Sequence, residues 1–238
     1  MFVKIQNIKK TFVGQPVLHD VSFQLEQHAT LSILGKSGCG KTTLLKIIAG
    51  LLHPDEGSVV INNIKVNEII ANKRDIVYIY QEPLLFPHLN VFENIAFGLR
   101  LRKLDNNIID RLVIEMINEL GLKGHEKKIP TQLSGGQKQR VSFGRAIIVK
   151  PKLLLLDEPF GNLDVETRTS MQLLFKQISE IFGITSLIVT HDLKEAILMG
   201  DKFGFMEDGF LKIYSNKTDF IQDNNTGVQK EIEFWKNL

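Results

Sequence analysis

Cysteine is nearly absent from this chain of 238 residues: Cys39 is the single one. One thiol cannot close an internal disulfide, so the chain reads as cytosolic or indifferent to redox compartment. Long apolar runs are missing too. No window approaches the roughly 18 consecutive apolar residues that a membrane span requires. The opening residues, Met1 to Gln6, lack the apolar stretch of a signal peptide. A protein of this kind that serves a membrane is expected to do so from outside the lipid. Neither charge sign dominates: 29 Lys and Arg face 27 Asp and Glu, a formal net charge of +2. That balance argues against a strongly basic nucleic-acid binder, though it leaves room for a local basic patch. Internal repeats and low-complexity tracts are also missing.

What is present is ordinary globular composition, with 43% hydrophobic and 24% charged residues, which excludes disorder for the bulk of the chain. At ~150 residues per domain the length allows one or two domains and a sizeable core. Val17, His19, Val21, Phe23 and Leu25 alternate with Leu18, Asp20, Ser22 and Gln24, a period of two that reads as a strand. Thr30 to Leu34 reads as a buried strand stopped by Gly35. Leu44, Leu45, Ile48, Leu51 and Leu52 then share one helix face, with His53 to Gly57 as the stop. Ser58–Ile61 and Ile76–Tyr80 read as further strands.

From residue 90 to about residue 150 the pattern becomes helical. Asn90 can cap a helix that carries Glu93 in its first turn. Ile109, Leu112, Val113, Met116, Ile117 and Leu120 mark an amphipathic helix ended by Gly121. A third helix is expected after Ser134. Lys152 to Glu158 returns to the buried-strand pattern. Asp164 can cap a helix whose face is Met171, Leu174, Ile178 and Ile181, ended by Gly183. Thr185–Thr190 is another strand, and Phe203–Met206 with Phe210–Tyr214 flank a hairpin turn at Glu207-Asp208-Gly209. The alternation implies a largely parallel sheet with helices on its faces. Residues 215–238 are polar, then weakly amphipathic, and too few for a domain.

Gly35-Lys36-Ser37-Gly38-Cys39-Gly40-Lys41-Thr42 fits the phosphate-loop pattern. Glycines let successive N–H groups turn into one concavity, and the following helix adds its positive end. Lys41 is placed to neutralise β- and γ-phosphates, and Thr42 offers a hydroxyl to Mg²⁺. The bland alternative is a Gly-rich turn before a helix. Leu153 to Leu156 ends in Asp157 and Glu158. Asp157 could hold Mg²⁺ through water, and Glu158 could polarise an attacking water. Alone, the same residues read as a buried strand followed by solvated acids. Ser134-Gly135-Gly136-Gln137 is a capping box, yet capping does not require two glycines, which weaken a first turn. They would let backbone N–H groups approach an anion.

Taken in order, residues 3 to 213 resemble the ATP-binding subunit of ABC transporters. Gly35–Thr42 is similar to the Walker A loop, and Leu133–Gln137, continued by Lys138 to Val141, to the family's signature motif. Leu153–Glu158 resembles Walker B and Gly161–Asp164 the D-loop. Gln81 resembles the Q-loop glutamine and His191 the switch histidine. Taken alone, His191 reads as a structural residue beside a helix cap.

The resemblance implies an α/β fold: a P-loop NTPase (RecA-like) core with an N-terminal antiparallel β subdomain and an inserted α-helical subdomain. The core would comprise residues 1–81 and 151–214, the helical subdomain residues 82–150 and the tail residues 215–238. It implies ATP and Mg²⁺ as cofactors. ATP would lie on Gly35, Lys36, Ser37, Gly38, Cys39, Gly40, Lys41, Thr42 and Thr43, with its adenine on Phe12. Phe12 can equally be a core residue. Thr42, Gln81 and Asp157 would hold the metal. Glu158, His191, Gln81 and Lys41 would carry hydrolysis, Glu158 as the base. Ser134, Gly135, Gly136 and Gln137 would complete the site of a second copy, or of a paralogous ATPase subunit, in a head-to-tail dimer. Cys39 reads as a small tolerated residue or as a reactive thiol.

The apolar, Pro-broken stretch Pro83 to Phe92 suggests a docking groove, which in the family receives a transmembrane permease subunit near Leu84–Phe92. A satellite core under a loop is the alternative. The wording around Gln81 most resembles bacterial solute importers, many of which carry a C-terminal regulatory β domain not seen in this sequence. The expected location is the cytoplasmic face of the cell membrane, peripheral. Nucleic acid is not expected as a partner: ABC ATPases of that kind usually carry two fused units or a long coiled coil. A P-loop kinase would not need the signature motif.

Overall fold

The computed structural model describes residues 1–236; Asn237 and Leu238, which end the expected tail, lie outside the described residues. The chain opens with strands β1 (Val3–Phe12), β2 (Gln15–Leu25) and β3 (Thr30–Leu34). Val13 and Gly14 turn β1 into β2, both at positive φ, 47° and 78°. Two left-handed residues give the twist that a two-residue hairpin needs. Gly14 adopts it freely, whereas a β-branched Val13 is strained there.

After β3 come α1 (Lys41–Ala49), β4 (Glu56–Ile61), β5 (Ile64–Lys65) and β6 (Ile76–Ile79). Helices α2 (Val91–Leu101), α3 (Asn106–Glu119) and α4 (Gly135–Ile147) follow, then β7 (Leu153–Asp157) and α5 (Val165–Phe182). The chain continues through β8 (Ser186–Thr190), α6 (Leu193–Met199), β9 (Lys202–Glu207), β10 (Phe210–Tyr214), α7 (Lys217–Gln222) and α8 (Val228–Lys236). Among the described residues these strands make two sheets. One is antiparallel in the order β2-β1-β4-β5, the other runs β10-β9-β3-β8-β7-β6. All neighbours in the second sheet are parallel except the terminal β9–β10 hairpin.

The period of two along β7 explains the layering. Leu153 and Leu155 point into a core shared with α1 and the antiparallel sheet. Leu154 and Leu156 point the other way, into a core built by α2, α3, α4 and α5. Side chains alternating across a strand that is buried on both faces produce the continuous apolar run read in the sequence.

Several expectations shift by a turn or a residue. α1 stops at Ala49, because Gly50 adopts a left-handed conformation (φ 78°) and its N–H returns to the Ile47 carbonyl. Leu51 is therefore exposed, not part of the buried face. In α5, Ile181 is exposed, and Phe175 fills the core beside Met171 and Ile178. Tyr80 lies beyond the end of β6. The tail is built into the fold: Phe220 of α7 is fully buried, with its ring 5.1 Å from Phe203 and 5.2 Å from Tyr214. No helix among the described residues is long and apolar enough to cross a membrane.

Candidate active site

Strand order decides which residues meet. β3, β8, β7 and β6 are adjacent and parallel, so their C-terminal ends deliver four loops side by side on one edge. That is where parallel α/β sheets bind ligands. β3 delivers the glycine-rich loop, β8 His191, β7 Asp157 and Glu158, and β6 Gln81. Together they line a cavity of about 520 Å³ whose wall includes Ser37, Gly38, Gly40, Lys41, Thr42, Thr43, Gln81, Asp157, Glu158 and His191. Val17 of β2 also lines it, a residue outside every motif described above.

The glycine-rich loop needs its glycines. Gly38 (φ 83°) and Gly40 (φ 108°) lie in the left-handed region, and a Cβ on Gly40 would also stand 2.9 Å from the Val17 carbonyl oxygen. Lys41, the first residue of α1, is buried. Its ammonium donates to the carbonyls of Gly35 (2.5 Å) and Lys36 (2.8 Å) and lies 3.9 Å from Glu158 Oε1. Two carbonyl oxygens and a nearby carboxylate thus hold a full charge at the loop's centre.

Thr42 Oγ1 donates to Asp157 Oδ1 at 3.0 Å. The other carboxylate oxygen of Asp157 accepts the Tyr78 hydroxyl at 2.7 Å. Burial first, and then the Asp157 hydrogen bond, push the Tyr78 phenol well above its usual range, so it stays a donor. Sequence reading missed Tyr78. The available signal was its place on β6, two residues before Tyr80 on a strand that pairs with β7.

Glu158 sits at φ 47°, a conformation unfavourable for a residue with a side chain and one that concentrates at functional sites. Its N–H is tied to the Val189 carbonyl at 3.0 Å, and its Oε2 lies 2.9 Å from His191 Nδ1. One carboxylate thus faces both an ammonium and an imidazole. Gln81 stands farther out, its amide nitrogen 3.5 Å from Asn162 Oδ1.

Other expected site residues lie elsewhere. Phe12 is 42% exposed under Lys10, 5.4 Å from ring centre to ammonium, which excludes a core role; it does not line the cavity. Gly35, Lys36 and Cys39, though part of the loop, do not line the cavity. The Cys39 thiol is buried, and burial raises its pKa above the ordinary value against the pull of Lys41. A small packed residue fits that environment, and a reactive thiolate does not. Ser134, Gly135, Gly136 and Gln137 also do not line the cavity. Ser134 Oγ accepts from Gln137 N at 3.3 Å, and Gln137 Oε1 accepts from Ser134 N at 3.1 Å, a complete capping box. Gly136 has a packing reason: a Cβ there would stand 2.6 Å from Thr167 Cγ2.

The stretch Pro83–Phe92 is anchored from beneath. Buried Asn94 accepts the Phe86 N–H at 2.9 Å and donates to the carbonyls of Leu89 (2.9 Å) and Asn90 (3.0 Å). The Phe86 ring packs 4.3 Å from Phe97 and 5.0 Å from the Arg145 guanidinium. Val91 belongs to the core, whereas Leu84 is 56% exposed.

A family model described as ABC transporter matches residues 18–161. The spermidine/putrescine import ATP-binding protein PotA of Mycoplasma capricolum subsp. capricolum is 44% identical over 210 residues, which is 88% of this chain and 60% of that protein. The protein of the same name from Mycoplasma mycoides subsp. mycoides SC gives the same figures. The chain therefore spans about three fifths of the length of these curated relatives. Among solved structures, a dimeric post-hydrolysis state of the ATP-binding cassette MJ0796 bound to ADP and Pi matches with a TM-score of 0.77 and 32% identity. That match covers 89% of this chain and 98% of the other. Since the matched stretch runs from within β2 to the loop after β7, well over half of the molecule and most of its cavity wall, the chain belongs to the ABC transporter family, as an ATP-binding cassette.

Proposed function

We propose that this cassette binds ATP with Mg²⁺ and hydrolyses it to ADP and phosphate, and that two copies, or this chain and a paralogue, do so head to tail. The observation that carries this reading is the shared cavity: an ammonium, a hydroxyl–carboxylate pair and a carboxylate–imidazole pair converge on one glycine-rich loop. Lys41 and the loop amides would neutralise the phosphate chain. Glu158 would take the proton of the attacking water, and His191, 2.9 Å away, would hold that carboxylate and meet the γ-phosphate. Phe12, exposed beside the turn of the first hairpin, would offer its face to the adenine. Ser134, Gly135, Gly136 and Gln137 would close the partner's site.

The donor set fits Mg²⁺. Thr42 and Asp157 present hard oxygens 3.0 Å apart at the cavity wall, and Gln81 lines the same wall. When bound there, the ion would supply charge neutralisation at the β- and γ-phosphates.

We place the catalytic core in residues 1–81 and 151–214, the helical subdomain in 82–150 and the tail in 215–238. The proposed assembly sits at the cytoplasmic face of the membrane, with a transmembrane permease seated near Leu84–Phe92. The names of the relatives point to a polyamine, a small polycation, as the imported solute.

Glu158→Gln tests the base. Gln is nearly isosteric and cannot accept the proton, so turnover should fall by ~10²–10⁴ while nucleotide affinity persists. Phosphate release and fluorescent-nucleotide binding measure the two. Wild-type turnover in that variant would sink the assignment.

A further inference from the structure

Hydrolysis as proposed uses the His191 imidazole, but not the charged groups that fix its backbone. β8 ends at Thr190, and Asp192 caps α6. The Thr190 hydroxyl accepts the Asp192 N–H at 3.0 Å, and Asp192 Oδ1 accepts the Glu195 N–H at 2.9 Å. The second oxygen, Oδ2, meets Arg168 Nη1 at 3.3 Å. On its other side the same guanidinium donates from Nη2 to the Leu163 carbonyl at 2.9 Å. Leu163 belongs to the short loop 161–164 between β7 and α5, most of which is exposed.

Arg168 therefore bridges a surface loop to the residue that follows His191. Its side chain and that of Asp192 are only 29% and 28% exposed, so the pair is largely shielded from solvent and salt. The geometry calls for arginine, since a planar fork reaches a carbonyl and a carboxylate at once and a lysine ammonium does not.

Two buried polar atoms beside this bridge have no hydrogen-bond partner among the described residues: Arg168 Nε and Glu195 Oε1. Buried polar atoms are normally paired. Nε–H is a donor and a carboxyl oxygen is an acceptor, so each could satisfy the other. The cluster thus has a second pairing open to it, with Arg168 moved toward Glu195. Taking that pairing would shift Arg168 relative to Leu163 and Asp192.

We propose that Arg168 is a positioning residue for His191, transmitting displacement of the 161–164 loop to the imidazole through Asp192. The proposal rests on the hydrolysis reading above, because the imidazole is assigned its task there. A body pressed on the exposed loop then alters the geometry at Glu158 without touching it.

The test compares Arg168→Gln, Arg168→Lys, Asp192→Asn and the double variant Arg168→Gln/Asp192→Asn in the full chain. Asn keeps the cap on α6, so only the bridge is lost. Each single variant is expected to lower kcat roughly tenfold to a hundredfold, the scale of a misplaced group, with KM for Mg-ATP unchanged. The double variant should be no worse than the single ones, because both remove one connection. Arg168→Lys should behave like Arg168→Gln, and it stands in should the glutamine variant fold poorly. Amide hydrogen exchange without nucleotide reads the coupling apart from turnover: residues 190–195 should exchange faster in Arg168→Gln, and residues 41–49 should not. Unchanged exchange at 190–195 overturns the proposal, as do losses that multiply in the double variant or a KM that rises while kcat holds. A wild-type chain that hydrolyses no ATP would instead sink the hydrolysis reading and leave the exchange result to decide this one.

Discussion

Glu195 is 2% exposed, and burial pushes its carboxyl up to about 8, with the negative charges of Asp192 and Glu158 adding to the effect and Thr190 and Arg168 opposing it. The folded chain then keeps this proton to a higher pH than the unfolded chain, whose carboxyl loses it near 4.5. Between those values the native state binds more protons, so stability falls as pH rises. The contribution is fully present below 4.5 and is lost as pH passes through about 8. Glu195→Gln removes the titration, so the melting temperature should gain on wild type as pH rises. At the upper end the corresponding difference in stability should be on the order of a few kcal/mol, at 1.36 kcal/mol per unit of pKa. Thermal melts at about pH 5 and about pH 8.5, either side of most of that titration, decide the matter. A wild-type chain that matches the variant at both would show that Glu195 is ionised in the fold.

At the scale of an element, the segment before α2 shows how an apolar loop can be both rigid and available. Asn94 holds its backbone, and Phe86 is clamped between Phe97 and Arg145, whose guanidinium also donates to the Leu84 carbonyl at 2.6 Å. Leu84 is left facing outward. Leu84→Asp should therefore change stability by less than about 0.5 kcal/mol, the usual range for surface substitutions, and abolish co-purification with the proposed permease. Phe86→Asp places a charge in a packed site and should cost roughly 2 kcal/mol or more. Equal melting temperatures for the two variants would contradict this division of labour. The difference between the two side chains was not legible in Pro83–Phe92, because both are apolar and local pattern carries no information about Asn94 or Arg145. Where local chemistry sets the structure, the sequence was readable: Asn90 and Asp164 cap α2 and α5, Gly183 ends α5, and the Leu153–Leu156 run is buried on both faces. The glycine-rich loop was readable for the same reason. The order β3-β8-β7-β6 was not, since no local signal places β8 between β3 and β7. Tyr78 was lost with it, its partner Asp157 lying 79 residues away.

For the whole molecule, the expected site is split. Lys41, Glu158 and His191 share one cavity, while the start of α4 at Ser134 opens elsewhere on the surface with its capping box satisfied internally. Under the proposed head-to-tail pairing, a second copy brings Ser134 to the phosphates. In a Glu158→Gln background, ATP should shift the chain from monomer to dimer in sizing experiments. Adding Ser134→Arg should abolish that shift, because the larger side chain would occupy the phosphate position. A dimer that survives the arginine would mean that the two copies pair through another face. The buried Cys39 has a practical bearing on such work. Its thiol is shielded by packing and held neutral, so thiol-directed probes should find little to attack in the native chain. A cysteine introduced at an exposed position such as Leu84 would then carry a spin or fluorescent label almost alone, and the natural chain already serves as its own background for distance measurements between copies.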